Sequence, residues 1–296
     1  MCGIVGLFLK DPALEPELGR LTAAMLATMS DRGPDSAGFA VYGSGGSDTA
    51  KFTLRGKSAA LVAAAVERIK AAFKGVTAIH HDTHVVVGIP AGEADGFVAW
   101  LAEEAPEIDL VGRGHRMELY KEVGAPAKVA ERFGLAAMGG THAIGHTRMA
   151  TESAVTTDGA HPYSTGTDQC LVHNGSLSNH NNLRRILRRE GFDFETENDT
   201  EVAAAYLSWK MREGMSLGEA LKGSLSDVDG FYTFVVGTEN GFGVLRDGIA
   251  CKPAVMAETD RYVAFGSEYR ALAVLPDIGK ARVWEPEPST VYFWER

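Results

Sequence analysis

Met1-Cys-Gly-Ile-Val-Gly-Leu-Phe-Leu-Lys10 opens a chain of 296 residues, and the reading of this stretch decides how the rest is understood. Residues 2–9 carry no charge and no polar side chain beyond the thiol, the pattern of a strand covered on both faces. The apolar run stops at Lys10 and Asp11 and no basic segment precedes it, so it is too short for a secretory signal and is expected to be structural. A cysteine at position 2 then bears on chemistry. A free thiol is mostly protonated at neutral pH and needs a base to become a nucleophile. Removal of Met1 would leave Cys2 with an α-amine of pKa roughly 7.7–8.0, placing nucleophile and base on one residue. The competing reading is a buried thiol that happens to come second.

Hydrophobic residues make up 45% and charged residues 23%, as in an ordinary globular protein, and the length suits one large domain or two small ones. With 29 basic and 39 acidic side chains the net charge is -10, which argues against nucleic acid or an anionic membrane as partner. Three cysteines, Cys2, Cys170 and Cys251, do not make a disulfide framework, and a reducing, cytoplasmic setting is expected. No stretch reaches the roughly 18 apolar residues of a membrane span.

Outward from the first strand, apolar spacing predicts a helix over 14–29 and a strand over 39–42. Ser58 is placed to cap a helix running to 73. Residues 83–134 alternate strand and helix, with one strand expected over 109–123. Strands follow at 142–149 and 170–173, helices at 181–189, 200–212 and 217–225, and mostly strands after 231. Strands at both ends with helices between them suggest two packed sheets with helices outside, an α+β arrangement.

Four short motifs stand in order: the opening Met-Cys-Gly-Ile-Val-Gly, Arg32-Gly-Pro-Asp-Ser-Ala-Gly38, Gly145-His-Thr-Arg-Met-Ala-Thr151 and His173-Asn-Gly-Ser-Leu-Ser178. Together they resemble the class II glutamine amidotransferases, whose nucleophile is an N-terminal cysteine. Arg246-Asp-Gly, Lys252-Pro and Gly266-Ser-Glu-Tyr-Arg-Ala-Leu272 extend the resemblance towards the C-terminus. It implies a four-layer αββα sandwich over a single domain of 1–296, with an α/β insertion at about 44–138 where compact members are shorter.

The resemblance also implies roles. Cys2 would attack the carboxamide carbon of L-glutamine, with Asn174 and Gly175 as the oxyanion donors. Arg148 matches the clamp on the substrate carboxylate and Asp199 the acid facing its ammonium. Thr151 and Arg32 are further candidate contacts. Plainer readings stand beside these: Asn174-Gly175 as a hairpin turn, Asp199 or Asn198 as a helix cap, Arg32 as a partner for Asp35. Some relatives read Arg-Trp-Ala-Thr-His where this chain has Arg148-Met-Ala-Thr-Glu152, so pocket contacts differ there.

No cofactor or metal is expected in the chain itself. Ammonia set free would be consumed by a separate synthase subunit of a glutamate-synthase-like complex, N-methylglutamate synthase among them, carrying a flavin with or without an iron–sulfur cluster. Two other functions compete: an amide hydrolase of the same fold with another acyl substrate, and a non-catalytic regulatory or scaffold subunit. His80-His-Asp-Thr-His84 reads as a solvated strand edge, His161-Pro-Tyr163 as a loop beside the site, Cys170 and Cys251 as buried thiols, and Arg184-Arg-Ile-Leu-Arg-Arg189 as a solvated basic face.

Overall fold

The computed structural model describes residues 2–150 and 154–296. Its first half holds strands β1 (Gly3–Leu9), β2 (Ser36–Tyr42), β3 (Thr49–Arg55), β4 (Thr77–His81), β5 (His84–Pro90), β6 (Asp109–Gly114), β7 (Met117–Val123) and β8 (His142–Arg148). The helices among them are α1 (Leu18–Thr28), α2 (Ala59–Ala72), α3 (Ala94–Glu104) and α4 (Pro126–Arg132). The second half holds β9 (Tyr163–Gly166), β10 (Gln169–Leu177), β11 (Gly230–Gly237), β12 (Gly241–Arg246), β13 (Val255–Glu258), β14 (Tyr262–Gly266), β15 (Arg282–Trp284) and β16 (Val291–Glu295). Its helices are α5 (His180–Arg189), α6 (Asp199–Arg212), α7 (Leu217–Asp227) and α8 (Tyr269–Leu272).

β1 organises the sandwich. It pairs antiparallel with β14 on one side and β8 on the other, inside a seven-stranded sheet ordered β15-β13-β14-β1-β8-β2-β7. Side chains alternate along a strand, so Val5, Leu7 and Leu9 join a core with α1, α4 and α8, whereas Ile4 and Phe8 join the core between the two sheets. Both faces are covered, which is why the run contains no polar residue. The facing sheet, β16-β12-β11-β10-β9, carries α5, α6 and α7 on its outer side. Helices, sheet, sheet and helices make the four-layer αββα arrangement expected from the sequence. Gly6 faces the second sheet, where a Cβ would come within 2.8 Å of the Phe242 ring.

A third sheet, β4-β5-β3-β6, has its own core with α2 and α3. Ser58 caps α2 as expected, its hydroxyl accepting from Leu61 N at 3.2 Å. This sheet and its helices span 49–114, within the 44–138 where an insertion is expected; beyond them β7 is the edge strand of the seven-stranded sheet and α4 packs on that sheet. The strand expected over 109–123 is broken for the same reason. The buried Asp168 carboxylate gathers the backbone N–H groups of His115, Arg116 and Met117 at 2.6, 2.9 and 2.9 Å, fixing a turn that carries the chain from one sheet to the other.

Other differences have local causes. The first helix begins at Leu18, since Pro12 and Pro16 lack the N–H groups a longer α-helix needs and leave a 3-10 segment, Pro12–Glu17, ahead of it. His80 to His84 do not lie on one strand: β4 and β5 form a hairpin around Asp82-Thr83, with His81 opposite His84. His80 is exposed and His84 buried, and among the described residues no group of three or more His, Cys, Asp or Glu side chains is placed to hold a metal ion. Cys170 is buried as expected, 3.3 Å from the Tyr42 hydroxyl, but Cys251 is exposed in the loop after β12. No helix among the described residues is long and apolar enough to cross a membrane.

Candidate active site

The four sequence motifs meet at one end of the sandwich. Cys2 precedes β1, and the pairing of Gly3 with Thr147 brings it beside the end of β8, where Arg148 and Met149 stand. The thiol faces the carbonyl of Met149 at 3.9 Å and is half-buried. From the second sheet, the buried Asn174 donates its amide N–H to the carbonyl of Cys2 at 3.2 Å. Asn174-Gly175 is therefore not a hairpin turn: both residues lie inside β10, with Gly175 opposite Tyr232 on β11. Gly175 has φ 152°, and a Cβ there would fall 2.0 Å from the carbonyl oxygen of Phe231, so only glycine fits.

Arg32 joins this cluster. Its Nε donates to the Cys2 carbonyl at 3.1 Å and its Nη1 binds Glu268 at 2.5 Å. The partner expected from the sequence, Asp35, instead accepts the N–H of Ala150 at 2.8 Å. Glu268 belongs to the Gly266-Ser-Glu segment, and Ser267 accepts the N–H of Ile4 at 2.9 Å. No local sequence signal marks either side chain for this role. Three separate segments thus converge on the backbone of residues 2–4.

Beside this cluster opens a cleft of about 670 Å³ lined by Arg148, Ser176, His180, Asn198 and Asp199, among others. Arg148 is buried and Nη1 donates to the carbonyl of Ala154 at 3.3 Å. Asp199 opens α6, but the cap is Asn198, whose side chain accepts from Thr200 N at 2.9 Å. Asp199 is left to accept the N–H of Leu177 at 2.9 Å and to face the cleft. Burial pushes its carboxyl upward, yet the His173 ring, the Leu177 N–H and His180 outweigh that and hold it below the ordinary range. A guanidinium and a carboxylate therefore line one cleft, the complement of the two ends of an α-amino acid. Thr151 lies outside the described residues.

Behind Asp199 sits a buried polar chain. The Thr200 hydroxyl is 2.7 Å from His161 Nε2 and 2.9 Å from His173 Nδ1, and one hydroxyl proton can serve only one of the two rings. His161 stacks on His146, whose Nε2 is 3.1 Å from the His173 carbonyl. Burial drives the pKa of His146 down to about 3 and holds that of His161 well below the ordinary range, so both rings are neutral and serve as packing and hydrogen-bonding groups. On the other side, Arg184 turns inward instead of joining a solvated basic face. Its guanidinium donates to the carbonyls of Thr196 and, at 3.3 Å, Asn198, and lies over the Phe194 ring. It thereby fixes the loop that delivers Asp199.

The chain superposes with a TM-score of 0.63 on glutamine phosphoribosylpyrophosphate (PRPP) amidotransferase from B. subtilis, at 20% identity, over 99% of this chain and 47% of that one. At that identity the likeness establishes the fold, that of the N-terminal-nucleophile type class II amidotransferases. A family model described as a glutamine amidotransferase domain matches residues 146–274. Over its whole length the chain is 64% identical to the glutamine amidotransferase-like protein GlxB of Rhizobium meliloti (strain 1021), covering 98% of that protein. It is 35% identical to a putative glutamine amidotransferase of Methanothermobacter thermautotrophicus, with 99% of each chain covered. The chain belongs to this glutamine amidotransferase-like family.

Proposed function

We propose that the chain is the glutaminase component of a larger enzyme, hydrolysing L-glutamine to glutamate and ammonia with Cys2 as nucleophile once Met1 is removed. The observation that carries this reading is the shared cleft of Arg148 and Asp199 beside Cys2. The α-amine of Cys2 takes the thiol proton, and the thiolate adds to the carboxamide carbon. Asn174 and the N–H of Gly175 stabilise the oxyanion; the second N–H of the Asn174 amide is available beside the one given to the Cys2 carbonyl. The C–N bond breaks as the ammonium of Cys2 returns its proton to the departing ammonia. Water then attacks the thioester, releasing glutamate and restoring the thiol. Arg32 acts on this site through the backbone of Cys2, holding it in place.

Ammonia formed here would pass to a separate synthase subunit of the glutamate-synthase type, N-methylglutamate synthase included, with the flavin and any iron–sulfur cluster on that partner. The test is intact-mass spectrometry before and after treatment with the glutamine analogue 6-diazo-5-oxo-norleucine, together with its co-purifying partners. Loss of Met1 and one adduct mapped to Cys2 are expected. A protein lacking Met1 that takes no adduct would overturn the reading.

A further inference from the structure

A second cavity, of about 550 Å³, lies where β6 of the small sheet, β9 and α6 come together. It shares Asp158, Glu195 and Thr196 with the cleft described above, yet none of Cys2, Arg148, Asn174, Gly175 or Asp199 lines it. Its size falls within the range of small-molecule sites.

Lys121 lines this cavity from β7 and is 7% exposed. A buried ammonium has three N–H groups to satisfy and is costly when they lack acceptors. Here Nζ donates to the carbonyl of Asp158 at 3.2 Å and lies 4.5 Å from the centre of the Tyr163 ring, and among the described residues no carboxylate pairs with it. Burial, reinforced by the charge of Arg55 and opposed by the Glu195, Asp158 and Glu201 carboxylates, pulls its pKa down to about 8, so it is still mostly cationic at neutral pH.

Glu195, Asp158 and Glu201 lie near enough to act on its charge, yet none comes within ion-pair distance among the described residues. The Asp158 carboxylate is held by Arg55. Glu201 accepts the N–H groups of Glu195 and Thr196 at 2.8 and 2.9 Å and the Thr196 hydroxyl at 2.6 Å. Burial pushes the Glu195 carboxyl upward, and its side chain makes no ion pair among the described residues. Arg113 lines the same cavity, with its guanidinium likewise outside any ion pair among the described residues.

We propose that this cavity binds a small organic anion, a carboxylate or a phosphate monoester, with Lys121 as the anchoring cation and Arg113 as the second. The site stands on the cavity and its charges and does not rest on the glutaminase reading.

Pyridoxal 5'-phosphate, an aldehyde that carries a phosphate, is the probe. The lysine nitrogen adds to the aldehyde carbon, water leaves, and borohydride reduces the resulting C=N bond to a stable secondary amine. Peptide mapping is expected to place the main label on Lys121. Excess inorganic phosphate or excess 2-oxoglutarate should lower that label, and whichever protects better identifies the preferred anion. Arg113→Met should weaken labelling of Lys121 about tenfold, the worth of one charge-assisted contact. Lys121→Met should remove the main label; if that variant does not fold, the Arg113→Met result and the protection pattern decide. Labelling spread over exposed lysines without enrichment at Lys121, or a Lys121 label that neither anion reduces, would overturn the proposal.

Discussion

The side-chain amide of Asn174 donates to the backbone carbonyl of Cys2 at 3.2 Å, joining residues 172 positions apart across the two facing sheets. The bond fixes the amide at the backbone of the proposed nucleophile. Asn174→Ala removes that donor together with the bond that orients it. We expect kcat for glutamine hydrolysis to fall by ~10²–10³, the usual cost of one oxyanion donor, with KM little changed. Steady-state glutamate release checks this, and an unaltered circular dichroism spectrum separates the chemical loss from misfolding.

Gly175 tolerates no side chain. Its φ of 152° and the 2.0 Å approach of a Cβ to the Phe231 carbonyl oxygen mean that Gly175→Ala must shift β10 against β11. The expected cost is about 1–3 kcal/mol of stability from backbone strain, seen as a lower denaturant midpoint. Activity should fall further than stability, because the adjacent Asn174 amide moves with the strand.

Arg184 is buried and satisfied chiefly by the carbonyls of Thr196 and Asn198 rather than by a close carboxylate. Arg184→Met frees the segment that presents Asp199. KM for glutamine should rise by roughly tenfold while kcat changes less than about threefold, the signature of lost substrate positioning. An equal fall in kcat would show that the segment acts on the chemistry itself.

Acid should destabilise the fold through histidines. Burial lowers the pKa of His84, His142 and His146 to about 3 each, from an ordinary value of 6.5. Between those limits the unfolded chain binds protons that the folded chain refuses, so stability is lost as pH falls below 6.5. Each such group contributes up to about 1.4 kcal/mol per pH unit. Urea melts at a series of pH values from neutral to 5 should show this decline. His84→Phe should make it shallower by about one proton's worth, since His84 packs edge-on against Phe133 at 4.6 Å and its Nε2 has no partner.

The sequence by itself determined the plan of the sandwich and named the candidates for the site. An uncharged run such as β1 reads as a strand with both faces covered, and cysteine at position 2 followed by three ordered motifs carries a family resemblance that implies roles for Cys2, Arg148, Asn174 and Gly175, and for Asp199 in the separate segment 197–201. Those signals are local: an apolar pattern and a family's motifs, each running along a few residues. Partner choice is not local. Glu268 rather than Asp35 pairs with Arg32, Asn198 rather than Asp199 caps α6, and Arg184 turns in to carbonyls rather than out to water. The small sheet ends at β6 because Asp168 binds the turn at 115–117 from the far side of the chain. Each of these depends on which strands lie side by side and in what register, and a shift of one residue in a strand exchanges its two faces. Tertiary structure decided them because the groups that compete for each donor are brought within reach only after the sheets have formed.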